Sequence, residues 1–445
     1  MPAVTSTHST ASELDQSSLG SIAKLGLAIV LSIVAIMLIG VTANRVYKNY
    51  SPPSKTFDWS LRGHSDFHNG VYYPAVAFRN RDNPYAASVR DKYPVVSPAR
   101  PCPPITFIGH LPFTFLDLRS ANVAFFAFNT GMLLLLALVA VNIARGKFEP
   151  VTWLAACCVL LISRPGHITL FTGYYTLELV LGTVMALHYG KSRPWLSAVG
   201  MLVASGKPTF VLPLIILMLA RKNYAATLRG IGLCIVFGMG GLAWLATDGG
   251  FSSVLSGVFE AQSEFHSEVE EYPVNSWTRV DLLGMAAKVA NWIPADRDYL
   301  TAMLVFLIVP AVLINQITDR ESNHGAAGLT SCIALLTMLV GIYHHSYDCL
   351  LIVVPWVGFA FCRSQMLPEA SNRIKILLAL LLTGPLLNYL STHTARDKLG
   401  FEQSDTIWQM ITMINGVCLM LALVILLGHA YHLAVANTIR KDFGR

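Results

Sequence analysis

The sequence predicts an all-α, polytopic membrane protein whose helical bundle crosses the bilayer about twelve times. The first observation is composition: 54% of the 445 residues are hydrophobic and only 13% are charged, whereas soluble domains carry about 25% charged residues. The second is that apolar segments recur along the whole chain, many of them near the roughly 20 residues that a spanning helix needs. A surface with so few charges faces lipid, which excludes a soluble fold.

The apolar segments set the order of the predicted spans, and two long polar segments, 44–119 and 248–299, interrupt them. The polytopic domain covers 23–432, between a predicted disordered cytoplasmic tail at 1–22 and a second cytoplasmic tail at 433–445. The predicted spans are 23–43, 121–144, 151–163, 168–190, 195–206, 208–220, 229–247, 300–317, 327–343, 347–362, 376–391 and 407–432.

The apolar stretch 195–220 has the length of one ordinary span, but Lys207 and Pro208 interrupt it. Proline and a preceding glycine favour a break in a helix. One span would place Arg221 and Lys222 outside the cell, whereas two short helices keep both inside. We prefer two short helices, because short cytoplasmic loops of membrane proteins carry an excess of Lys and Arg.

The positive residues indicate the orientation of the chain. With a cytoplasmic N-terminus, every short loop assigned to the inside carries Lys or Arg, and Arg164 and Lys207 are exceptions among the short outer turns. The net charge of +6 therefore sets membrane orientation, and we predict no nucleic-acid partner. Both long polar segments then lie outside, and we expect the first, 44–119, to form an ordered cap with a short helix over 68–79.

Ionisable side chains near a membrane interior are costly, so each one is a candidate functional residue. All of them lie toward the outer side in this topology, together with the 44–119 segment, which predicts an outward-facing polar cavity. The candidates are Arg164, His167, Glu178, Lys207, His344, His345 and Asp348.

Each main candidate has an alternative, purely structural interpretation. Asp66 is a general base at the mouth of the cavity or a helix N-cap. Lys207 neutralises a phosphate as a compact point charge or extends to the interface without a ligand. His344 and His345 donate hydrogen bonds to a phosphate or sugar, or are satisfied interfacial histidines. Adjacent histidines point to different helix faces, which disfavours a metal site. Asp82 is typical of a turn.

A series of short motifs follows in a fixed order. They are Asp66-Phe67 with Tyr72-Tyr73, Asn83-Pro84-Tyr85, Pro103-Pro104-Ile105-Thr106-Phe107 with Leu111-Pro112, Lys207-Pro208-Thr209, Asn275-Ser276 and His344-His345-Ser346-Tyr347. In this order, the chain resembles the family 87 glycosyltransferases, polytopic enzymes of the GT-C superfamily that use polyprenyl-phosphate sugars. One departure is Gly173-Tyr174-Tyr175, where the family often has Gly-Gln after the third span.

The resemblance implies a GT-C-like bundle and an inverting sugar transfer in which Asp66 is the general base. The donor would be a polyprenyl phosphate bearing a mannose-like hexose or a pentose, and the acceptor a lipid or glycan outside the plasma membrane. Lys207, His344 and His345 would contact phosphate or sugar. Arg164, Glu178 and Tyr85 are further candidate substrate contacts. We expect no bound nucleotide, metal or other cofactor.

Two other functions fit parts of the sequence. A transporter or flippase of a lipid-linked or small solute would also place polar groups at membrane depth, but such proteins usually show repeated halves, and no repeat is evident here. An acyltransferase or ligase of envelope glycans would also place basic residues near a lipid phosphate. Its chemistry would not depend on the loop aspartate.

Overall fold

The computed structural model describes residues 10–56, 58, 60–99, 102–246, 250–267, 272–321, 325–363 and 366–443. The fold is all-helical, with 76% helix and no strand within these ranges. The predicted all-α class is therefore confirmed. Residues 1–9 of the predicted N-terminal tail lie outside the described residues, and the first helix begins within that predicted tail.

Nineteen α-helices occur within the described ranges, joined by several short π- or 3₁₀-helical turns. The α-helices are α1 Thr10–Lys48, α2 Tyr73–Arg79, α3 Val89–Lys92, α4 Ile105–His110, α5 Leu118–Arg145, α6 Pro150–Ile162, α7 Arg164–Thr172, α8 Thr176–Tyr189, α9 Pro194–Ala204, α10 Pro208–Ala220, α11 Tyr224–Leu245, α12 Gly250–Ser267, α13 Leu282–Ala290, α14 Asp296–Ile317, α15 Leu329–Gly341, α16 Val353–Phe361, α17 Asn372–Leu387, α18 His393–Leu399 and α19 Thr406–Phe443. The turns are a π-helix at Phe67–Tyr72 and 3₁₀-helices at Leu111–Phe115, Thr318–Arg320, Ser346–Ile352 and Tyr389–Ser391.

Six of the described helices are long and apolar enough to cross a membrane: α1, α5, α11, α14, α17 and α19. The α6–α7 pair, bent by 65°, makes a seventh if it is one span. The other predicted spans fall mainly on shorter apolar helices, including α8, α9, α10 and α15. A multi-pass membrane protein follows from these helices, and the count of about twelve crossings stays a prediction.

Two predicted breaks have different outcomes. The break at Lys207-Pro208 is confirmed, because α9 ends at Ala204 and α10 begins at Pro208. The single span predicted over 168–190 is wrong, because α7 ends at Thr172 and α8 begins only at Thr176. Gly173 between them has φ +75°, a left-handed conformation that ends a helix and favours glycine.

The core of the bundle surrounds α15, in which every residue from Leu329 to Gly341 is buried. Close helix packing supports this core. A Cβ on Gly182 of α8 would lie 2.7 Å from the carbonyl oxygen of Gly200 on α9, so only small residues allow this approach. In contrast, α14 exposes apolar side chains such as Val305, Ile308 and Val312, as expected of a lipid-facing surface. The end of α15 leads directly to the predicted histidine motif.

The segment 44–119 contains several short helices, and the helix predicted over 68–79 is confirmed as the π-helix Phe67–Tyr72 followed directly by α2. Phe67 is fully buried, and its ring stacks on Phe125 of α5 at 4.4 Å. The hydroxyl of Tyr72 donates to the carbonyl of Leu116 at 3.0 Å. These contacts hold the segment that follows Asp66 against the bundle.

Candidate active site

A buried cluster forms where α10 begins and where the chain leaves α15. The Nζ of Lys207 donates to Oδ2 of Asp348 at 2.7 Å, and Nδ1 of His344 lies 2.9 Å from the same oxygen. The amide of His345 also donates to it, at 3.1 Å. Asp348 and His344 are fully buried, and the Lys207 side chain is 11% exposed. The fold therefore brings together three of the ionisable candidates.

Several buried polar atoms of this cluster have no hydrogen-bond partner within the described chain. They are Thr209 Oγ1, His344 Nε2, Ser346 Oγ and Asp348 Oδ1. Most buried polar atoms in proteins are hydrogen-bonded. These atoms thus leave donor and acceptor capacity beside Lys207 for water or a polar ligand.

A cavity of about 790 Å³ adjoins this cluster. Lys207, Thr209 and His345 line its polar part, and residues of the second polar segment, α14 and the end of α15 line an apolar part. The apolar lining includes Leu283, Ile293, Leu300, Met303 and Ile342. We call this space the apolar cavity, because one wall offers hydrocarbon contacts and the polar groups converge at Lys207 and His345.

Contacts from the second polar segment fix His345. Its Nδ1 lies 2.6 Å from Oγ1 of Thr278 and its Nε2 lies 2.5 Å from the hydroxyl of Tyr343. The adjacent Arg279 pairs with Asp281 through two hydrogen bonds, at 2.8 and 2.6 Å. Burial alone would lower the pKa of the Arg279 guanidinium, but the carboxylate of Asp281 outweighs it and raises that pKa. Arg279 stays charged, and its pairing holds this wall in place.

Aromatic rings extend from His345 toward the first polar segment. His345 and Tyr347 stack with ring centroids 5.1 Å apart, and Tyr347 lies 5.2 Å from Tyr174. The Nζ of Lys207 lies 5.3 Å from the centroid of the Tyr347 ring. We call His345, Tyr347 and Tyr174 the aromatic row. The row brings the Gly173-Tyr174-Tyr175 departure into the cavity wall, since Tyr174 and Tyr175 both line it.

Asp66 lies at the first-segment end of this row. It is half-buried, and its side chain does not cap the following helix, so the N-cap interpretation finds no hydrogen bond. A Cβ on Gly70 would lie 3.9 Å from Cε2 of Tyr174, and one on Gly173 would lie 2.7 Å from Cβ of Phe67. The segment that carries Asp66 thus packs directly against Gly173 and Tyr174. Asp66 is not a lining residue of the apolar cavity.

A second cavity, of about 680 Å³, contains Arg164. Among the described residues that line it, five are Lys or Arg and one is a carboxylate. The cations are Arg45, Arg62, Arg164, Arg396 and Lys398, and the carboxylate is Asp397. We call this space the basic cavity. Burial, followed by the charges of Arg396 and Arg62, lowers the pKa of His393 in its wall to about 4.

The comparison with known families was made on the whole sequence. The model of glycosyltransferase family 87 matches residues 102–341, which is more than half of the 445 residues. The chain belongs to glycosyltransferase family 87. No curated protein and no solved structure matches it.

The match covers the family 87 transferase from just before α4 to the end of α15. It includes Lys207 and Tyr174 but not Asp66, His344 or His345. The resemblance seen in the sequence is thus confirmed, and the roles of those three residues stay predictions that rest on geometry. The family membership favours sugar transfer over transport.

The other predicted substrate contacts of the transferase lie apart from the apolar cavity. Arg164 lines the basic cavity. Glu178 pairs with His110, whose Nε2 lies 3.0 Å from the carboxylate. Tyr85 is buried, and its hydroxyl donates to the carbonyl of Cys102 at 2.6 Å. Neither Glu178 nor Tyr85 lines either cavity, and their substrate contacts stay predictions.

Sequence reasoning missed the basic cavity as a unit. Arg45, Arg62, Arg396 and Lys398 lie far apart along the chain, but the predicted topology places all of them outside. Cations on the outer side run against the usual distribution of charge in membrane proteins. That anomaly was the signal available in the sequence.

Proposed function

We propose that this family 87 glycosyltransferase moves a mannose-like hexose or a pentose from a polyprenyl phosphate to an acceptor hydroxyl, with inversion, at the extracytoplasmic face of the plasma membrane. One observation carries the proposal: the apolar cavity ends at Lys207 and His345, and the aromatic row joins that end to the segment bearing Asp66. We propose about twelve crossings with both chain ends in the cytoplasm.

The two parts of the apolar cavity suit the two parts of a polyprenyl donor. The apolar wall offers contacts to a hydrocarbon chain that enters from the bilayer, and Lys207, Thr209 and His345 are positioned for the phosphate. The donor phosphodiester carries one negative charge, and the departing polyprenyl phosphate carries up to two. Groups placed where charge develops stabilise the transition state. Asp348 offsets part of the Lys207 charge and, with His344, orients its ammonium group.

The aromatic row separates the phosphate groups from Asp66 and suits the apolar face of a sugar ring. In the proposed step, the acceptor hydroxyl gives its proton to the carboxylate of Asp66 as its oxygen bonds to the anomeric carbon. The bond from that carbon to the phosphate oxygen breaks, and polyprenyl phosphate leaves with the electron pair. Because attack and departure occur on opposite faces, the anomeric configuration inverts.

The test uses the purified full-length chain with synthetic polyprenyl-phosphate mannose, glucose and arabinose, and with cell-envelope lipids and glycans as acceptors. Released polyprenyl phosphate and glycosylated product are measured by mass spectrometry. We expect one donor to be consumed, and Asp66→Asn to lower transfer by about 10²–10⁴-fold, the typical contribution of a positioned proton acceptor.

The matched control is Asp91→Asn, which removes an exposed carboxylate from α3 of the same segment and should retain full transfer. Size-exclusion profiles establish that both variants are folded. Full transfer by folded Asp66→Asn would reject the general base. Consumption of none of the donors by the wild-type chain would reject the donor class.

A further inference from the structure

The basic cavity is built from groups that recognise anions. Arg45, Arg62, Arg164, Arg396 and Lys398 line it, against one carboxylate within the described chain. That carboxylate belongs to Asp397, which accepts from Arg396 at 2.9 and 3.0 Å. The charge that remains is therefore positive. Planar guanidinium groups bind phosphate oxygens through paired hydrogen bonds.

Arg164 gives this cavity a buried, fixed cation. Its side chain is almost completely buried, with a residue exposure of 2%. Its terminal nitrogens donate to the hydroxyl and the carbonyl of Ser391, and its guanidinium carbon lies 5.2 Å from the ring centroid of Trp277. The Nε–H has no hydrogen-bond partner within the described residues. No carboxylate is within ion-pair distance of Arg164 in the same part of the chain, so its charge remains for an anion.

The cavity lies at the level of lipid headgroups in the predicted topology. Arg45 is in the last turn of α1, a candidate span that runs from Ile22 to Lys48. Its Nη1 lies 2.8 Å from Nε2 of His167, and its guanidinium carbon lies 5.1 Å from the ring centroid of Phe171. These contacts tie the outer end of α1 to α7 at the wall of the cavity.

The basic and apolar cavities adjoin each other. Thr172 lines the basic cavity and Tyr174 the apolar one, and Gly173 between them packs against the segment of Asp66. The second polar segment is shared in the same way, with Pro273 in one wall and Asn275 in the other. The Asp66 segment thus borders both spaces, and its Arg62 reaches the basic cavity.

We infer that the basic cavity binds a phosphate group carried by the sugar acceptor. The inference rests on the proposed function, in which the donor occupies the apolar cavity and the acceptor approaches Asp66 from the other side. The arginines would hold the acceptor's phosphate while its hydroxyl faces the carboxylate. The natural substrate is accordingly an anionic acceptor, and the phosphate belongs either to a lipid headgroup or to a soluble glycan.

The experiment measures binding without donor, by calorimetry on the detergent-purified full chain. The probes are dioctanoyl phosphatidic acid, dioctanoylglycerol without phosphate, and glycerol 3-phosphate without acyl chains. The variants are Arg45→Gln and Arg396→Gln, both at partly or fully exposed positions, and Arg396→Lys. The matched control is Arg119→Gln, an exposed arginine at the outer end of α5 that does not line the cavity.

We expect phosphatidic acid to bind and dioctanoylglycerol to bind far more weakly. Each Gln variant should weaken phosphate binding about tenfold, as loss of a hydrogen bond to a charged group does. Arg396→Lys should retain part of the affinity, and Arg119→Gln all of it. Stronger binding of phosphatidic acid than of glycerol 3-phosphate supports a lipid acceptor, and equal binding supports a soluble phosphorylated one.

Equal affinity for the probes with and without phosphate, or unchanged affinity in both folded Gln variants, overturns the inference. The outcome is separable from that of the proposed function. A wild-type chain that transfers sugar only to neutral acceptors and binds no phosphate rejects the acceptor phosphate and leaves the transferase. A chain that binds phosphatidic acid through these arginines but transfers no sugar keeps the phosphate site and rejects sugar transfer.

Discussion

Lys207 and Asp348 form a buried ion pair, with Nζ 2.7 Å from Oδ2. Removing one partner of such a pair leaves an uncompensated buried charge and typically costs about 3–5 kcal/mol. We therefore expect Lys207→Met to lower the melting temperature markedly and to abolish transfer. The double variant Lys207→Met/Asp348→Leu removes both charges and should recover most of the stability, because replacing a buried pair by apolar residues is often neutral.

The double variant separates the two interpretations of Lys207. We expect it to be folded but inactive, since the ammonium group that meets the donor phosphate is gone. Melting temperature and transfer rate are measured on the same preparations, with Lys222→Met as the control, because Lys222 pairs with Asp319 at a more exposed position. A stable double variant with wild-type transfer would assign Lys207 a purely structural role.

The helices and the site differ in how far the sequence could predict them. Apolar length and Pro208 were enough to place α9 and α10, because both features act locally. The pairing of Lys207 with Asp348 links residues 141 positions apart, and sequence spacing carries no information about such a contact. The same holds for Arg164 and Ser391 in the basic cavity.

The predicted span 168–190 shows the limit of hydropathy. Its apolar composition hid the break at Gly173, although the glycine was visible in the sequence. The break matters for the site, since it turns Tyr174 into the aromatic row and brings Phe67 against the glycine. A functional turn inside an apolar stretch is recognised only from the backbone conformation and packing that require glycine.

Gly173→Ala should impair transfer by displacing the segment that bears Asp66. Its φ of +75° disfavours a side chain, and a Cβ there would lie 2.7 Å from Cβ of Phe67. We expect kcat to fall at least tenfold, because small displacements of catalytic groups are costly. The control is Gly146→Ala, which has φ +70° but open space around its Cβ. Equal transfer rates in the two variants would contradict the close-packing argument.

Tyr347→Leu should raise KM for the donor more than it lowers kcat, because the ring forms part of the surface proposed for the sugar. We expect a change of about 2–10-fold, in line with aromatic contact energies of roughly 0.5–1.5 kcal/mol. Tyr347→Phe keeps the ring and should remain close to wild type. Steady-state kinetics against donor concentration distinguishes these cases, and matching losses in the Leu and Phe variants would assign the effect to the hydroxyl.

The stability of the first polar segment should depend on pH through His64 and His68. Both imidazoles contact Oδ1 of Asn122, at 2.6 and 3.0 Å. Burial lowers both pKa values, that of His68 to about 4. A histidine with a lowered pKa is neutral when folded, whereas the unfolded chain gains a proton below about pH 6.5. Stability is therefore complete above that pH and falls as the pH drops toward 4. We expect the melting temperature to fall from pH 7.5 to 5, less in His68→Gln and fully in His432→Gln, whose histidine is exposed; identical pH profiles in all three proteins would contradict this coupling.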